Sequence, residues 1–251
     1  MKRLEAKQIE IKIGNKKICQ QLNLTLNAGE IWGVLGPNGC GKTTLLHALT
    51  GLHPLQQGEI YCHGEKLKNL STKVIAQSIG LLFQDFNASF PQTVWEYCLE
   101  SRFPHLNYFK KATEQDKKMV WHALQMTELN ELSHRVITKL SGGEKRRLAL
   151  SALLAQTPTI FLLDEPSNHL DIKHQMNIFT YLQKLAKTDR VSIMMSLHDI
   201  HLAKQFCSHL LLLFADGSTK QGETKQIMTT ENLTTLYHYP MEKFYGYQNF
   251  S

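Results

Sequence analysis

Short apolar runs and amphipathic stretches alternate along most of the chain. The runs that predict β-strands lie at residues 7–13, 22–26, 31–35, 79–83, 159–163, 191–197 and 210–214. Stretches that predict helices lie between several of them, at residues 45–49, 142–156, 171–186 and 201–207. Strands that alternate with helices form parallel sheets covered on both faces. The pattern therefore predicts an α/β fold with a mostly parallel core sheet.

Residues from about 85 to 140 interrupt this alternation with a mostly helical pattern. The interruption indicates a helical subdomain inserted between two strands of the α/β domain. A chain of 251 residues is long enough for one domain of this kind, and no repeat or low-complexity linker divides it. We therefore expect a single domain over residues 1–251.

The composition narrows the classes of protein that fit. The formal net charge of +6 suits nucleic acid, an anionic membrane face or an anionic ligand, and does not choose among them. The five cysteines form no CxxC pair, which argues against a zinc knuckle or a disulfide framework and suits a reducing cytosol. The first ten residues lack the apolar core of a signal peptide. The apolar stretch at 210–215 is far shorter than the roughly 20 residues that span a bilayer, so a membrane role requires a partner.

A glycine-rich loop follows the predicted strand at 31–35 and precedes a predicted helix. Residues 36–44 are Gly-Pro-Asn-Gly-Cys-Gly-Lys-Thr-Thr, which fits the phosphate-binding pattern G-x-x-x-x-G-K-[ST]. Glycines let backbone N–H groups converge on phosphate oxygens, and the helix N-terminus adds positive potential. We expect Lys42 to neutralise the β- and γ-phosphates of ATP and the Thr43 hydroxyl to hold Mg²⁺.

The whole loop is expected to contact ATP, through Gly36, Pro37, Asn38, Gly39, Cys40, Gly41, Lys42, Thr43 and Thr44. Cys40 occupies a variable position of the pattern. The preferred interpretation is a small residue that the loop tolerates. The alternative is a thiol that the helix N-terminus makes sensitive to oxidation.

Two acidic residues end the apolar run at 159–163. A strand that ends there places Asp164 at the carboxyl edge of the parallel sheet, beside the phosphate loop. Asp164 is expected to steady Mg²⁺ through water, and Glu165 to orient and polarise the attacking water as a general base. A solvated turn is the alternative, which the presence of the phosphate loop disfavours.

Residues 140–144, Leu-Ser-Gly-Gly-Glu, lie between these two motifs, and with them the chain resembles the ATP-binding cassette (ABC) proteins. The resemblance implies a P-loop NTPase core with an antiparallel β-subdomain as well as the helical one. It also implies that Ser141, Gly142, Gly143 and Glu144 bind the ATP held by a second copy of the chain, in a head-to-tail homodimer. Because this segment opens a predicted helix with bare glycine backbone, it is a second candidate anion site.

Further residues match the family in order along the chain. Gln84 resembles the glutamine that senses Mg²⁺ and water, and is expected to serve in catalysis and metal binding. His198 resembles the histidine that contacts the γ-phosphate, and is expected to be catalytic by aligning the attacking water with Glu165. Residues 167–171 resemble the loop that couples the two sites of the dimer. Ile13 stands near the position where many members carry an aromatic residue that stacks on adenine, which leaves nucleotide selectivity open. A metal site built from neighbouring histidines is disfavoured, because no spacing organises them as ligands.

Two less specific segments are similar to those of the ATPases of iron-siderophore, haem and cobalamin importers. They are Arg-Phe-Pro-His at 102–105 and Leu-Asp-Ile-Lys-His-Gln at 170–175. This resemblance implies integral membrane permease partners, indirectly a substrate-binding protein, and a peripheral position on the cytoplasmic face of the cell membrane. The alternatives are a soluble ABC ATPase of iron–sulfur assembly, an ABC ATPase that acts on ribosomes or nucleic acid, and an exporter subunit. No nucleic acid is expected as a partner.

Overall fold

The computed structural model describes residues 1–85, 90–106 and 111–241. Its larger sheet has the strand order β10-β9-β3-β8-β7-β6. Five of these strands are parallel and the edge strand β10 is antiparallel to β9. The strands are β3 (Ile31–Leu35), β6 (Ile79–Leu82), β7 (Ile160–Leu163), β8 (Ser192–Ser196), β9 (His209–Leu213) and β10 (Thr219–Glu223). The predicted mostly parallel core sheet is confirmed.

The smaller sheet is antiparallel and has the order β2-β1-β4-β5. Its strands are β1 (Lys2–Ile13), β2 (Lys16–Asn27), β4 (Gln57–Cys62) and β5 (Glu65–Lys66). This sheet corresponds to the antiparallel subdomain that the family resemblance implies. The alternating pattern at 7–13 marks only the second half of β1, because the register of β1 against β2 shifts between Ala6 and Ile9 and breaks the period of two.

The helices lie on both faces of the larger sheet and in the inserted lobe. They are α1 (Lys42–Leu49), α2 (Thr72–Ser78), α3 (Val94–Glu100), α4 (Glu114–Met126), α5 (Gly142–Gln156), α6 (Ile172–Thr188), α7 (Ile200–Phe206), α8 (Thr224–Ile227) and α9 (Thr230–Tyr237). Three of them begin with a capping box, in which the N-cap hydroxyl and an acidic residue three positions later bond each other's backbone, at Thr93, Thr113 and Ser141.

The parallel strands are buried on both faces, and alternate side chains enter two separate cores. Leu163 and Met195 pack with α5, α6 and α7 in one core. Leu162 and Met194 pack with α1 and the antiparallel sheet in the other. Burial of both faces explains why these strands appear in the sequence as continuous apolar runs.

The lobe formed by α3, α4 and the neighbouring part of α5 has a core of its own, which includes Val94, Val120, Leu124 and Leu148. Residues 86–89 and 107–110, which the predicted helical insertion includes, lie outside the described residues, as do residues 242–251 of the predicted single domain. That domain division stays a prediction.

Candidate functional site

The loop between β3 and α1 has backbone conformations that require glycine. Gly39 and Gly41 have φ values of 74° and 114°, a region that residues with a Cβ rarely enter. A Cβ on Gly41 would lie 2.4 Å from Cγ2 of Ile18, and a Cβ on Gly36 would lie 2.5 Å from the carbonyl oxygen of Leu213. The loop therefore keeps its shape only with glycines at these positions, and it leads into the N-terminus of α1, the end of a helix that favours an anion.

Lys42 is the first residue of α1 and its side chain is almost completely buried. The Nζ atom donates hydrogen bonds to the carbonyl oxygens of Gly36 at 2.8 Å and Pro37 at 3.4 Å. Burial lowers the pKa of Lys42, and the acidic side chains of Glu165 and Asp164 act in the opposite direction. The ammonium is thus a desolvated donor held against the loop, close to both acidic residues.

Cys40 packs inside the phosphate loop with 2% of its surface exposed. Burial raises the pKa of the thiol, and the nearby charge of Lys42 opposes that shift without cancelling it. A buried, protonated thiol reacts slowly with oxidants. The packing therefore favours the interpretation of Cys40 as a small residue tolerated by the loop.

Asp164 follows β7 directly and is completely buried. Its Oδ1 atom accepts a hydrogen bond of 2.6 Å from the hydroxyl of Ser196 at the end of β8. Its Oδ2 atom is also buried and has no hydrogen-bond partner among the described residues. A buried carboxylate oxygen without a partner is costly. Carboxylate oxygens are preferred ligands of Mg²⁺. A Mg²⁺ ion, or a water molecule bound to it, would therefore give this oxygen its missing partner.

Glu165 is held by three polar side chains. His198 Nε2 lies 2.6 Å from Oε1, and the Gln84 amide donates to Oε2 at 3.3 Å. The Asn168 amide also donates to Oε2. Burial alone would raise the pKa of Glu165. The contacts of His198 and Asn168 together with the charge of Lys42 outweigh it and hold the pKa below its ordinary value. The structure thus brings together the three predicted catalytic residues, Gln84, Glu165 and His198.

Arg146 supports this arrangement from α5, and its role was not foreseen from the sequence. The guanidinium is buried and donates to the carbonyl oxygens of Phe83 at 2.6 Å, Gln84 at 3.2 Å and Glu165 at 2.6 Å, and also to that of Asp164. One side chain therefore ties the end of β6 to the end of β7.

Ser196 is the second residue that sequence reasoning missed. Its hydroxyl donates to Asp164 and accepts a 2.8 Å hydrogen bond from the backbone N–H of Glu165. The available signal was a hydroxyl residue that directly follows the apolar residues Ile193 to Met195, but its partner depends on the register in which Leu163 pairs with Met195.

Substitution Ser196→Ala is expected to lower the free energy of unfolding by about 1–2 kcal/mol, because the buried carboxylate of Asp164 and the part-buried N–H of Glu165 lose their partner. It should also raise the Mg²⁺ concentration for half-maximal ATP hydrolysis, since Asp164 loses the bond that orients it. Urea denaturation and a Mg²⁺ titration measure the two effects. Ser192→Ala, on the same strand but away from Asp164, is the control, and an unchanged Mg²⁺ requirement in Ser196→Ala would contradict the assignment.

The predicted signature segment caps the N-terminus of α5. The Ser141 N–H donates to Glu144 Oε2 at 2.7 Å, and the Glu144 N–H donates to Ser141 Oγ at 3.3 Å. Gly142 faces open space, whereas a Cβ on Gly143 would lie 2.9 Å from the carbonyl oxygen of His169. Within the described residues no hydrogen bond joins 141–144 to the phosphate loop. In a single chain, therefore, the signature segment and the phosphate loop, which are both predicted to contact ATP, are not joined by hydrogen bonds.

The remaining predicted residues lie at the edges of the site. Thr43 lines a cleft that also contains Gln84, and Thr44 follows it in the first turn of α1. Ile13 ends β1 with 49% of its surface exposed.

Within the described part of the chain, no group of three or more His, Cys, Asp or Glu side chains is placed to hold a metal ion. No helix over those same residues is long and apolar enough to cross a membrane.

The sequence is similar to those of known proteins over most of its length. Residues 19–168 match the ABC transporter family. The chain is 33% identical to the iron(3+)-hydroxamate import ATP-binding protein of Bacillus subtilis, over 96% of this chain and 90% of that protein. It is 36% identical to the molybdate import ATP-binding protein of Haemophilus influenzae, over 89% of this chain and 83% of that protein.

Solved structures give the same result. A metal-chelate type ABC transporter in an inward-facing conformation matches with a TM-score of 0.83 and 34% identity, over 96% of this chain and 90% of that chain. A dimeric ATP-binding cassette in a post-hydrolysis state with ADP and Pi matches with a TM-score of 0.77 and 29% identity, over 88% of this chain and 98% of that chain. With its phosphate loop, acidic pair and signature helix in this fold, the chain belongs to the ABC transporter family and is an ABC ATPase.

Proposed function

We propose that the chain is the ATP-binding and ATP-hydrolysing subunit of an ABC importer whose cargo is a metal chelate of the siderophore kind. The observation that carries the proposal is the extent of the likeness to an import ATPase, which covers 96% of the chain at 33% identity. The likeness to a metal-chelate type transporter covers the same share of the chain. It therefore includes the helical lobe as well as the nucleotide site that all family members share.

The hydrolytic step is assigned to the residues around Glu165. Its carboxylate accepts a proton from the attacking water, and Gln84 and His198, which already bond that carboxylate, fix the direction of attack. The Lys42 ammonium neutralises the phosphates, where its burial strengthens the interaction. Mg²⁺, when bound, supplies charge to the β- and γ-phosphates. Thr43, Gln84 and Asp164 are the residues proposed to hold it, and the partnerless Oδ2 of Asp164 supports this.

The second half of each site is assigned to a partner copy in a head-to-tail dimer. The signature segment opens α5, a 15-residue helix whose N-terminus favours an anion, and Gly142 there faces open space. Two chains related by a two-fold axis place each signature segment over the other chain's phosphate loop. The dimeric assembly of a cassette with ADP and Pi that shares the fold supports this arrangement.

A permease is expected to dock on the cleft between the lobe and the larger sheet. This cleft has a volume of about 600 Å³ and is lined in part by Gln84, Phe83, Tyr97 and Ser101. Because Gln84 also bonds Glu165, a segment that enters the cleft can sense the state of the hydrolytic carboxylate. A chain that docks on a permease in this way is a peripheral protein of the cytoplasmic membrane face, which is the location we propose.

The Arg-Phe-Pro-His segment follows Ser101, which lines this cleft, and is fixed to α5. Arg102 bonds Asp116 at 3.0 Å and the carbonyl oxygen of Ala155 at 2.8 Å. His105 Nε2 lies 2.7 Å from the carbonyl oxygen of Gln156. Phe103 between them is 73% exposed. An anchored segment that presents an aromatic ring to solvent fits a role in contact with a partner.

The basic run Lys-Arg-Arg at 145–147 is the segment in which a nucleic-acid or ribosome partner would find clustered positive charge. Arg146 is buried under the hydrolytic site. Arg147 donates to the carbonyl oxygens of Thr127 and Glu128. Since two of the three charges are used inside the protein, the run is not a free basic patch of the kind that phosphate backbones require. No feature of the described residues favours iron–sulfur assembly or export.

The cargo is tested by uptake. Cells in which Glu165→Gln replaces the natural chain are supplied separately with ferric hydroxamate, ferric catecholate, haem, cobalamin and molybdate, and accumulation is measured against wild-type cells. Loss of uptake of an iron chelate supports the proposal. Loss restricted to molybdate, the cargo named for a relative of similar identity, would replace the chelate by an oxyanion. Normal uptake of all five compounds would contradict the proposed cargo class.

A further inference from the structure

The first residues of β2 lie against the phosphate loop, although no recognised motif includes them. Lys16 Nζ donates a hydrogen bond of 2.7 Å to the carbonyl oxygen of Gly39. Ile18, two positions later, is buried and occupies the space that a Cβ on Gly41 would need. Because residues two apart in a strand share a face, Lys16 and Ile18 both face the phosphate loop. This face of β2 forms one wall of the nucleotide site.

Lys17 points to the other face. Its Nζ donates to Gln20 Oε1 at 3.1 Å. A Cβ on Gly217, in the turn before β10, would lie 3.2 Å from the Cβ of Lys17. The chain thus has two adjacent lysines in contrasting surroundings, and only Lys16 contacts the loop that binds phosphate.

The Lys16 ammonium retains donors for a ligand. An ammonium has three N–H donors, and the Gly39 carbonyl takes one. No carboxylate of the described residues forms an ion pair with Lys16. The positive charge of Lys16 also acts on the interior of the loop. Burial raises the pKa of Cys40, and the charges of Lys42 and Lys16 both oppose this shift.

The residue opposite Lys16 explains why an additional cation matters in this chain. Ile13 pairs with Lys16 across the hairpin turn, and directly opposed residues share a face of the sheet. Ile13, which is half-exposed, offers an apolar surface to a base but no ring on which it can stack. Where stacking is absent, a charged contact to the phosphates supplies a larger share of the binding free energy.

We propose that Lys16 is a nucleotide-binding residue, whose ammonium bridges the Gly39 peptide and the phosphate chain of ATP beside Ile13. This role rests on the proposed ATP site and adds a contact to it from β2. It makes nucleotide affinity in this chain depend on the phosphates more than on the base.

The test compares Lys16→Met with its neighbour Lys17→Met, since both changes remove one lysine charge from the same strand. The Kd for ATP is measured by calorimetry at low and high salt, with Mg²⁺. Lys16→Met is expected to weaken ATP binding roughly fivefold to tenfold and to make it less sensitive to salt. Lys17→Met is expected to stay within about twofold of the wild type, and Lys16→Arg, which keeps the charge, is expected to do the same.

Equal weakening by both methionine variants, or none by Lys16→Met, would overturn the proposal. Thermal melting checks that each variant is folded, and Lys16→Gln replaces Lys16→Met if the latter is not. Lys42→Met separates this proposal from the site itself. If Lys42→Met loses ATP while Lys16→Met does not, only the role of Lys16 is wrong. A wild-type chain that binds no ATP would contradict both the proposed ATP site and the role of Lys16.

Discussion

Substitution Glu165→Gln is expected to lower kcat for ATP hydrolysis by about 10²–10³-fold while ATP binding is retained. Glutamine keeps the size of the side chain and can still bond Gln84, Asn168 and His198, but it cannot accept a proton from water. The contacts that hold the Glu165 pKa below its ordinary value keep the wild-type carboxylate ionised at neutral pH. The substitution therefore removes a base that is in its proton-accepting form at neutral pH. Single-turnover hydrolysis and ATP binding measure the two quantities.

A matched control is Glu223→Gln on the edge strand β10, which removes the same charge far from the site. Its kcat should equal that of the wild type. If Glu165→Gln hydrolyses ATP within about threefold of the wild-type rate, Glu165 is not the residue that activates water, and the general-base assignment is wrong.

The second large effect is expected for Lys42→Met, which should weaken ATP binding by about 2–3 kcal/mol, roughly 30- to 150-fold in Kd. The variant keeps the length of the stem but removes a buried ammonium that sits against Gly36 and between the loop and both acidic residues. Charge-assisted bonds to phosphate are strong where water is excluded. Calorimetric titration with ATP measures the change.

Stability separates this effect from misfolding. Burial already disfavours the charged form of Lys42, so its replacement by an apolar side chain should leave the unfolding midpoint unchanged or raise it. Weak binding together with a lowered midpoint would point to a disturbed loop instead. An unchanged Kd for ATP would show that the phosphates do not contact Lys42.

Most of the core sheet could be predicted because its strands are buried on both faces and appear as apolar runs. The limits of α5 were predicted at Gly142 and Gln156, where the structure places them, since its cap and glycines mark the start. In contrast, β4 and β5 lack a continuous apolar run, and β4 contains Gly58 with a positive φ. The helix α2 buries none of its residues, so it has no periodic stripe to detect.

In the candidate site, the residues that are adjacent in sequence could be predicted, whereas contacts between distant parts of the chain could not. The phosphate loop and the acidic pair are contiguous in sequence and follow from the chemistry of phosphate and water. The bonds from Ser196 and Arg146 join elements that lie 18 or more residues apart in sequence. They depend on strand register and on the way α5 crosses the sheet, and no alternating pattern reveals the register of strands that are buried on both faces.

Purification of tagged Glu165→Gln from gently solubilised membranes with ATP present, followed by mass spectrometry of the proteins that accompany it, decides whether the chain works in transport. The variant should hold ATP without hydrolysing it and so keep the dimer and its partner together. We expect a polytopic membrane protein in stoichiometric amount, whose identity then points to the cargo. Recovery in the soluble fraction with ribosomes or assembly factors would contradict the transport function and leave only the ATPase.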